Sequence, residues 1–191
     1  MSTEGVSDLE LVDRARRGDS AAFGALVDRH RSAVFRAAVA ALGSKADAEE
    51  VAQESFVAAH RHLAGFRQDA SFKTWLLSIT WRKALTKRRN VRALLRRFVP
   101  PRDDLEWQVP DATHTQEDAL IGRELTRVLR REIAGLSPKF RDALLLAAAG
   151  DYGYGEIASM LDIPVGTLKW RVAEARRQLK TRLASKGYSH V

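Results

Sequence analysis

Apolar residues recur along this chain every three to four positions, in blocks separated by glycine, proline or short polar breaks, which is the spacing of helices and not of strands. Ser7, with Glu10 three residues on, opens the first block as a capping box, and the helix it predicts runs to Arg17 and stops at Gly18. Asp19 caps a longer block in which Phe23, Leu26, Val27, Val34 and Phe35 share a face, ending at Gly43. Ser44 starts a third helix through Leu63, terminated by Gly65. The loop Phe66 to Ala70 leads to Ser71, the cap of a fourth helix that stops ahead of Pro100 and Pro101.

From Pro100 to about Thr115 the chain is polar and lacks apolar periodicity, which reads as a flexible interdomain linker. Periodicity returns from about Gln116 to Ala134. Ser137-Pro138, a cap residue followed by proline at the first helical position, starts a helix carrying Phe140 and Leu144 to Leu146 and ending at Gly150. A short helix from about Gly155 to Leu161, a turn at Asp162-Ile163-Pro164 and a last helix from Val165 to about Ala184 complete the chain. The fold class expected is all-α, with two small helical domains at 1–98 and 116–191 joined by a linker at 99–115.

Composition sharpens this picture through charge. The net charge is +8 over 191 residues, and Arg82 to Arg102 holds nine Arg or Lys and no acid, so the rest of the chain is close to neutral. A local cationic surplus of that kind attracts polyanions, nucleic acid first among them. Zero cysteines exclude disulfides and thiolate metal sites. The polar N-terminus has no signal-peptide core, and no apolar run nears the roughly 18–20 residues that span a bilayer, so a cytoplasmic location without membrane insertion is expected. The five histidines, at 30, 60, 62, 114 and 190, show no metal-ligand spacing and are expected at the surface. Without a phosphate-binding glycine loop or a nucleophile placed beside a base, no cofactor, no metal and no catalysis by this chain are expected.

The C-terminal pair of short helices is a helix-turn-helix pattern. Ile157, Ala158, Leu161, Ile163, Leu168 and Val172 supply its inner face, leaving Thr167, Lys169, Trp170, Arg171 and Glu174 for the major groove and Arg176 and Arg177 for phosphates. Tyr154-Gly155-Glu156-Ile157-Ala158, Ile163-Pro164-Val165-Gly166-Thr167-Leu168-Lys169 and Ala175-Arg176-Arg177-Gln178-Leu179 resemble region 4 of the extracytoplasmic-function sigma factors. The resemblance implies a domain that reads an upstream promoter element. Trp170 departs from it, standing where a small polar residue is common, as does Glu174, where a basic residue or histidine is common.

The N-terminal half extends the resemblance. On the helix from Ser44, one face is small and apolar (Ala48, Val51, Ala52, Ser55, Ala59), while Asp47, Glu50 and Glu54 form an acidic stripe with Gln53 alongside. Asp47 to Phe56 is similar to the family's region 2.2, which grips the largest polymerase subunit, and Phe66-Arg67, Ser71 to Leu76 and Ile79 are similar to the segment that binds and opens the downstream element. That similarity implies core polymerase contacts from Asp47, Glu50, Gln53 and Glu54 and downstream-element contacts from Phe66, Arg67, Lys73, Trp81, Arg82, Lys83, Lys87 and Arg88. Phe72, Trp75, Leu76 and Ile79 share a face that reads as core. Trp81 lies off that face and is expected to meet an unstacked base, with the loop Phe66 to Ala70 as the pocket for a flipped one. Arg82 stands where many members have asparagine.

The likeness is to the small members of the family, without the N-terminal inhibitory region or middle domain of larger sigma factors, and implies restraint by a separate anti-sigma protein. The expected partners are therefore core RNA polymerase, promoter DNA and an anti-sigma factor. Two other readings stand beside this one. A stand-alone helix-turn-helix regulator would use the same C-terminal domain but create no new start sites with core polymerase. A small basic nucleic-acid enzyme would show activity with every metal and co-purifying protein removed.

Overall fold

Each N-terminal helix begins where a short polar side chain replaces the hydrogen-bond acceptor that the first turn lacks. In the computed structural model, which describes residues 5–98, 118–149 and 152–188, Ser7 Oγ accepts from the Glu10 amide at 3.2 Å and opens α1 (Asp8–Arg16). Asp19 accepts from the Ala22 amide at 3.1 Å and opens α2 (Ser20–Leu42), which Gly43 ends in the left-handed region at φ 72°. Ser44 caps α3 (Lys45–His62) and Ser71 caps α4 (Phe72–Phe98), with a 3₁₀ turn at Leu63–Gly65 between them.

The second half comprises α5 (Asp118–Ala134), α6 (Pro138–Ala148), α7 (Tyr154–Leu161) and α8 (Val165–Ala184). Pro138 begins α6 as expected, but the Ser137 side chain makes no cap hydrogen bond; its carbonyl instead accepts from the Phe140 and Arg141 amides at 3.0 Å each. No strand occurs among the described residues, so the chain is all-α. It divides into two compact units, Met1–Ala93 and Leu94–Val191. The expected linker falls outside the described residues, as do His114, His190 and the expected helix end at Gly150.

In the first unit α2 packs on α1 and α3, and small residues are buried on both sides of that pairing: Ala37, Ala38 and Ala41 on α2, and Ala48, Ser55 and Ala59 on α3. Such residues let two helix backbones approach closely, and enlarging one would cost about 1–3 kcal/mol in overpacking. The first half of α4 is buried on more than one side: Phe72, Leu76, Leu77, Trp81 and Ala84 are all at most 1% exposed. Its Phe72 ring lies 5.6 Å from His30 of α2 and 5.9 Å from Phe66.

That arrangement overturns one histidine expectation. His30 is buried, and its Nε2 lies 2.7 Å from Asp8 Oδ2, fastening α1 to α2; Arg29 adds a contact to the same carboxylate at 2.6 Å. His60 and His62 are exposed, as expected.

In the second unit Leu136, Phe140, Leu144 and Ala175 form the core against which Ile133 and Leu179 pack. Ile157, Ala158, Leu168 and Val172 are buried as the helix-turn-helix pattern requires, and Asp162 makes the turn at φ 54°. Arg141 is buried and donates to the Ala134 carbonyl at 3.1 Å, which satisfies the C-terminus of α5 from the side of α6.

Candidate polymerase-docking and nucleic-acid surfaces

Because Ala48, Val51, Ser55 and Ala59 bury one face of α3, its opposite face carries Asp47, Glu50, Gln53 and Glu54 outward. Glu50, Gln53 and Glu54 are exposed, and the Asp47 side chain is 43% exposed. This ridge is not electrically alone. Lys87 of α4 places its Nζ 3.0 Å from Asp47 Oδ1 and 2.6 Å from Glu50 Oε2, and Lys83 Nζ lies 3.2 Å from Glu54 Oε2. The later lysine meets the earlier acids, so the two helices run antiparallel along this seam.

Partial burial by itself pulls the Lys87 ammonium down, but its hydrogen bonds to Glu50 and Asp47 outweigh that and hold it above the ordinary lysine range. Lys83 and Lys87, expected to track DNA phosphates, are thus already engaged in ion pairs, and a phosphate must compete with carboxylates for them.

Other downstream residues divide into reachable and unreachable. Arg82 is exposed, with Nη2 3.2 Å from Ser78 Oγ, and Arg89, further along α4, is exposed as well. Arg67 is exposed at the loop and pairs with Asp69 at 3.3 Å, and Lys73 is half-buried on the first turn of α4. Arg88 donates to the Ala41 carbonyl at 3.2 Å, closing the end of α2, so it serves the fold in this structure.

Two aromatic expectations are corrected. Trp81 is 1% exposed and is core; it cannot meet a base in this conformation. The helical wheel misplaced it because α4 is packed on two sides, with Leu77 four residues before and Ala84 three residues after both fully buried. Its indole Nε1 has no hydrogen-bond partner among the described residues. Phe66 is 3% exposed, packed against Phe72 and, at 5.1 Å, against Trp75, so it anchors the loop and does not line it.

A residue that sequence reasoning missed holds the same loop. Arg16, the last residue of α1, donates through Nε to the Leu63 carbonyl at 3.1 Å and through Nη2 to the Phe66 carbonyl. No local pattern could reveal it, since its acceptors lie 47 and 50 residues away.

On α8, Leu168, Val172 and Ala175 face inward, which turns Lys169, Trp170 and Arg176 outward and leaves Thr167 and Arg171 half-buried. Trp170 is 56% exposed and meets Phe140 edge-on at 5.5 Å, so one side of the indole is supported by the core. Glu174 is engaged locally, accepting from Arg177 at 2.8 and 2.7 Å and from Gln178 at 2.7 Å. The Arg177 guanidinium, then the Gln178 amide, hold its carboxyl down at about 2. The Glu174 and Arg177 charges therefore largely cancel, and Lys169, Arg171, Arg176, Lys180 and Arg182 are cations of α8 outside that pair. No group of three or more His, Cys, Asp or Glu suited to a metal occurs among the described residues.

The chain thus carries two helical modules, one with a charged seam of its own and one with a helix-turn-helix whose second helix turns cations outward. The Sigma-70 region 2 family matches residues 26–94, and Sigma-70, region 4 matches residues 126–179. The chain is 31% identical over 189 residues to the ECF RNA polymerase sigma-E factor of Haemophilus influenzae, covering 94% of this chain and 97% of that one. It is also 31% identical over 181 residues to the RNA polymerase sigma-H factor of Pseudomonas aeruginosa, covering 90% and 91%.

Among solved structures, CnrH in complex with the cytosolic domain of CnrY is similar with a TM-score of 0.63 and 26% identity over 93% of this chain and 97% of that one. The sigma factor RpoE in complex with the anti-sigma factor NepR, from Bartonella quintana, shares the fold with a TM-score of 0.61 and 20% identity over 85% and 96%. The chain belongs to the extracytoplasmic-function family of RNA polymerase sigma factors, and it directs transcription as an alternative sigma factor. No described helix is long and apolar enough to cross a membrane.

Proposed function

We propose a division of labour between two modules, with limits at 1–98 and 116–191 and a linker between them. The first holds core RNA polymerase through Asp47, Glu50, Gln53 and Glu54. The observation that carries this is the outward presentation of those four polar groups on a helix whose other face is fully packed. A basic partner helix would bury such a ridge, and at an interface the charge arrangement sets specificity and encounter rate.

The same module opens the downstream element. The loop Phe66 to Ala70 takes an unpaired base, with Arg67, Lys73 and Arg82 at its sides and Lys83, Lys87 and Arg89 toward the backbone. In the second module Lys169, Trp170 and Arg171 face base edges, Thr167 stands near the start of the helix, and Arg176 contacts phosphate. RNA synthesis remains the chemistry of the polymerase; this chain brings no cofactor or metal of its own. It works in the cytoplasm, restrained by an anti-sigma protein. Support for that partner comes from CnrH, seen with the cytosolic domain of CnrY, and from RpoE, seen with the anti-sigma factor NepR.

The test is run-off transcription from a random-sequence promoter library with purified core polymerase. The reading expects new start sites sharing two spaced sequence elements. Core polymerase that starts at the same sites with and without the chain would refute it.

A further inference from the structure

We infer that Arg16 is a positioning residue for base capture: by clamping the root of the Phe66–Ala70 loop to α1, it keeps that loop in the shape that accepts an unpaired base. The inference rests on the proposed role of the loop in opening the downstream element, and it assigns Arg16 a part in that step.

The geometry is specific. One guanidinium reaches two successive acceptors, the Leu63 carbonyl at 3.1 Å and the Phe66 carbonyl, while its third nitrogen lies 3.5 Å from Asp13 Oδ1 on its own helix. The two carbonyls bracket the 3₁₀ turn Leu63–Gly65, so the clamp fixes both where α3 ends and where the loop begins. The guanidinium carbon also stands 6.0 Å from the centre of the Phe66 ring, at the outer limit for a cation over an aromatic face. Phe66 itself is wedged against Phe72 and Trp75.

The loop root is thus held from three sides. The stretch that follows, Arg67 to Asp69, is exposed and contains Gln68 at φ 64°. A side-chain-bearing residue in the left-handed region costs free energy unless its surroundings impose it. The clamp supplies such an imposition. A planar guanidinium fork makes two directed bonds at once, which a lysine ammonium on a flexible stem does not reproduce. Arg16 bonds the chain at the Leu63 and Phe66 carbonyls, the root of the loop, so the role assigned to it is exerted on a base through the loop.

The experiment uses the full chain bound to core polymerase and a promoter selected by that holoenzyme from random sequence. Its melted segment is located by permanganate oxidation of unpaired thymines. The probes are the single-stranded non-template oligonucleotide of that segment and versions carrying one abasic site at each position in turn. Wild-type holoenzyme is expected to lose affinity sharply at one abasic position. Arg16→Ala is expected to weaken the intact oligonucleotide by about tenfold, the size of one lost stacked base, and to erase the penalty at that position. Arg16→Lys recovers only part of the affinity. Core polymerase affinity and binding of the duplex upstream element stay within about twofold of wild type.

Retention of the full abasic penalty in Arg16→Ala would overturn the inference. So would an equal loss of core polymerase and upstream-element binding, which would make Arg16 a general support of the fold. A wild type indifferent to every abasic site would instead remove the loop's own role, an outcome distinguishable from the other two.

Discussion

Replacing Glu50 by lysine separates docking from folding, because the structure bounds what the change costs in stability. Glu50 is 61% exposed at its side chain and meets Lys87 at 2.6 Å; Asp47, the other partner of that lysine, is 43% exposed. Pairs as open as these are worth about 0.2–1 kcal/mol, since solvent screens the attraction and two flexible side chains must be held. Glu50→Lys removes one such pair and sets two ammonium groups against each other, so the cost is about 1 kcal/mol. For a module of this size that lowers Tm by roughly 4–8 °C. The fold survives, because domain stabilities run to about 5–15 kcal/mol.

Affinity for core polymerase should fall at least about tenfold, the usual consequence of placing a like charge against a charged partner. Lys87→Gln is the companion variant. It breaks that ion pair and the one between Lys87 and Asp47, at a cost of about 0.5–2 kcal/mol, but leaves the acidic ridge intact, so core affinity is retained. Calorimetry of the free chain and fluorescence titration of core polymerase measure the two quantities. Equal core affinity in Glu50→Lys and wild type would remove Glu50 from the docking surface. Equal weakening in both variants would show that disturbing the seam, and not the charge of the ridge, governs binding.

Three further outcomes follow from other parts of the molecule. Trp81→Ala should destabilise the first module by about 3–5 kcal/mol, as large-to-small changes in a packed core do; urea unfolding checks this, and a loss of DNA binding at unchanged stability would contradict the core assignment. The Glu174 carboxyl, held at about 2 against an ordinary 4.5, adds stability that is fully present above about pH 4.5 and is lost as pH falls toward 2. Glu174→Ala should therefore flatten that part of the acid-unfolding curve of the second module, and an unchanged curve would refute the clasp with Arg177. Lys169→Ala with Arg171→Ala should weaken upstream-element binding and relax its sequence preference, whereas Arg176→Ala should weaken all duplexes alike and lower the salt slope by about 0.9; binding titrations at several salt concentrations distinguish the two.

What the sequence made legible and what it hid follow from the range of the forces involved. Helix starts at Ser7, Asp19, Ser44 and Ser71 were readable because a cap bonds an amide three residues away. The inner face of α3 was readable for the same reason, its period being a property of one helix. Trp81 was not, because a helix packed on two sides has no single apolar stripe for a wheel to find, and Phe66 was not, because a loop carries no period at all. Ser137 shows the opposite limit: the start of α6 was right, though the side-chain cap assumed there is absent.

The partners of Lys83 and Lys87 were hidden because each cation lies about thirty to forty residues from its acids, and only the antiparallel packing of α3 and α4 brings them together. His30 and Asp8, 22 residues apart, were hidden likewise. These long-range polar contacts change the functional picture most. They make the acidic ridge of α3 and the lysines beside it one charged seam, so that charge taken up by a partner on one side would bear on what the other side has free.

Strand opening tests the central claim most directly. With 2-aminopurine placed in the downstream element of a promoter selected by the holoenzyme, fluorescence should rise when both the chain and core polymerase are present, and with neither alone. It should stay flat when core polymerase is mixed with the second module only. A rise produced by the chain without polymerase, or by polymerase without the first module, would contradict the account.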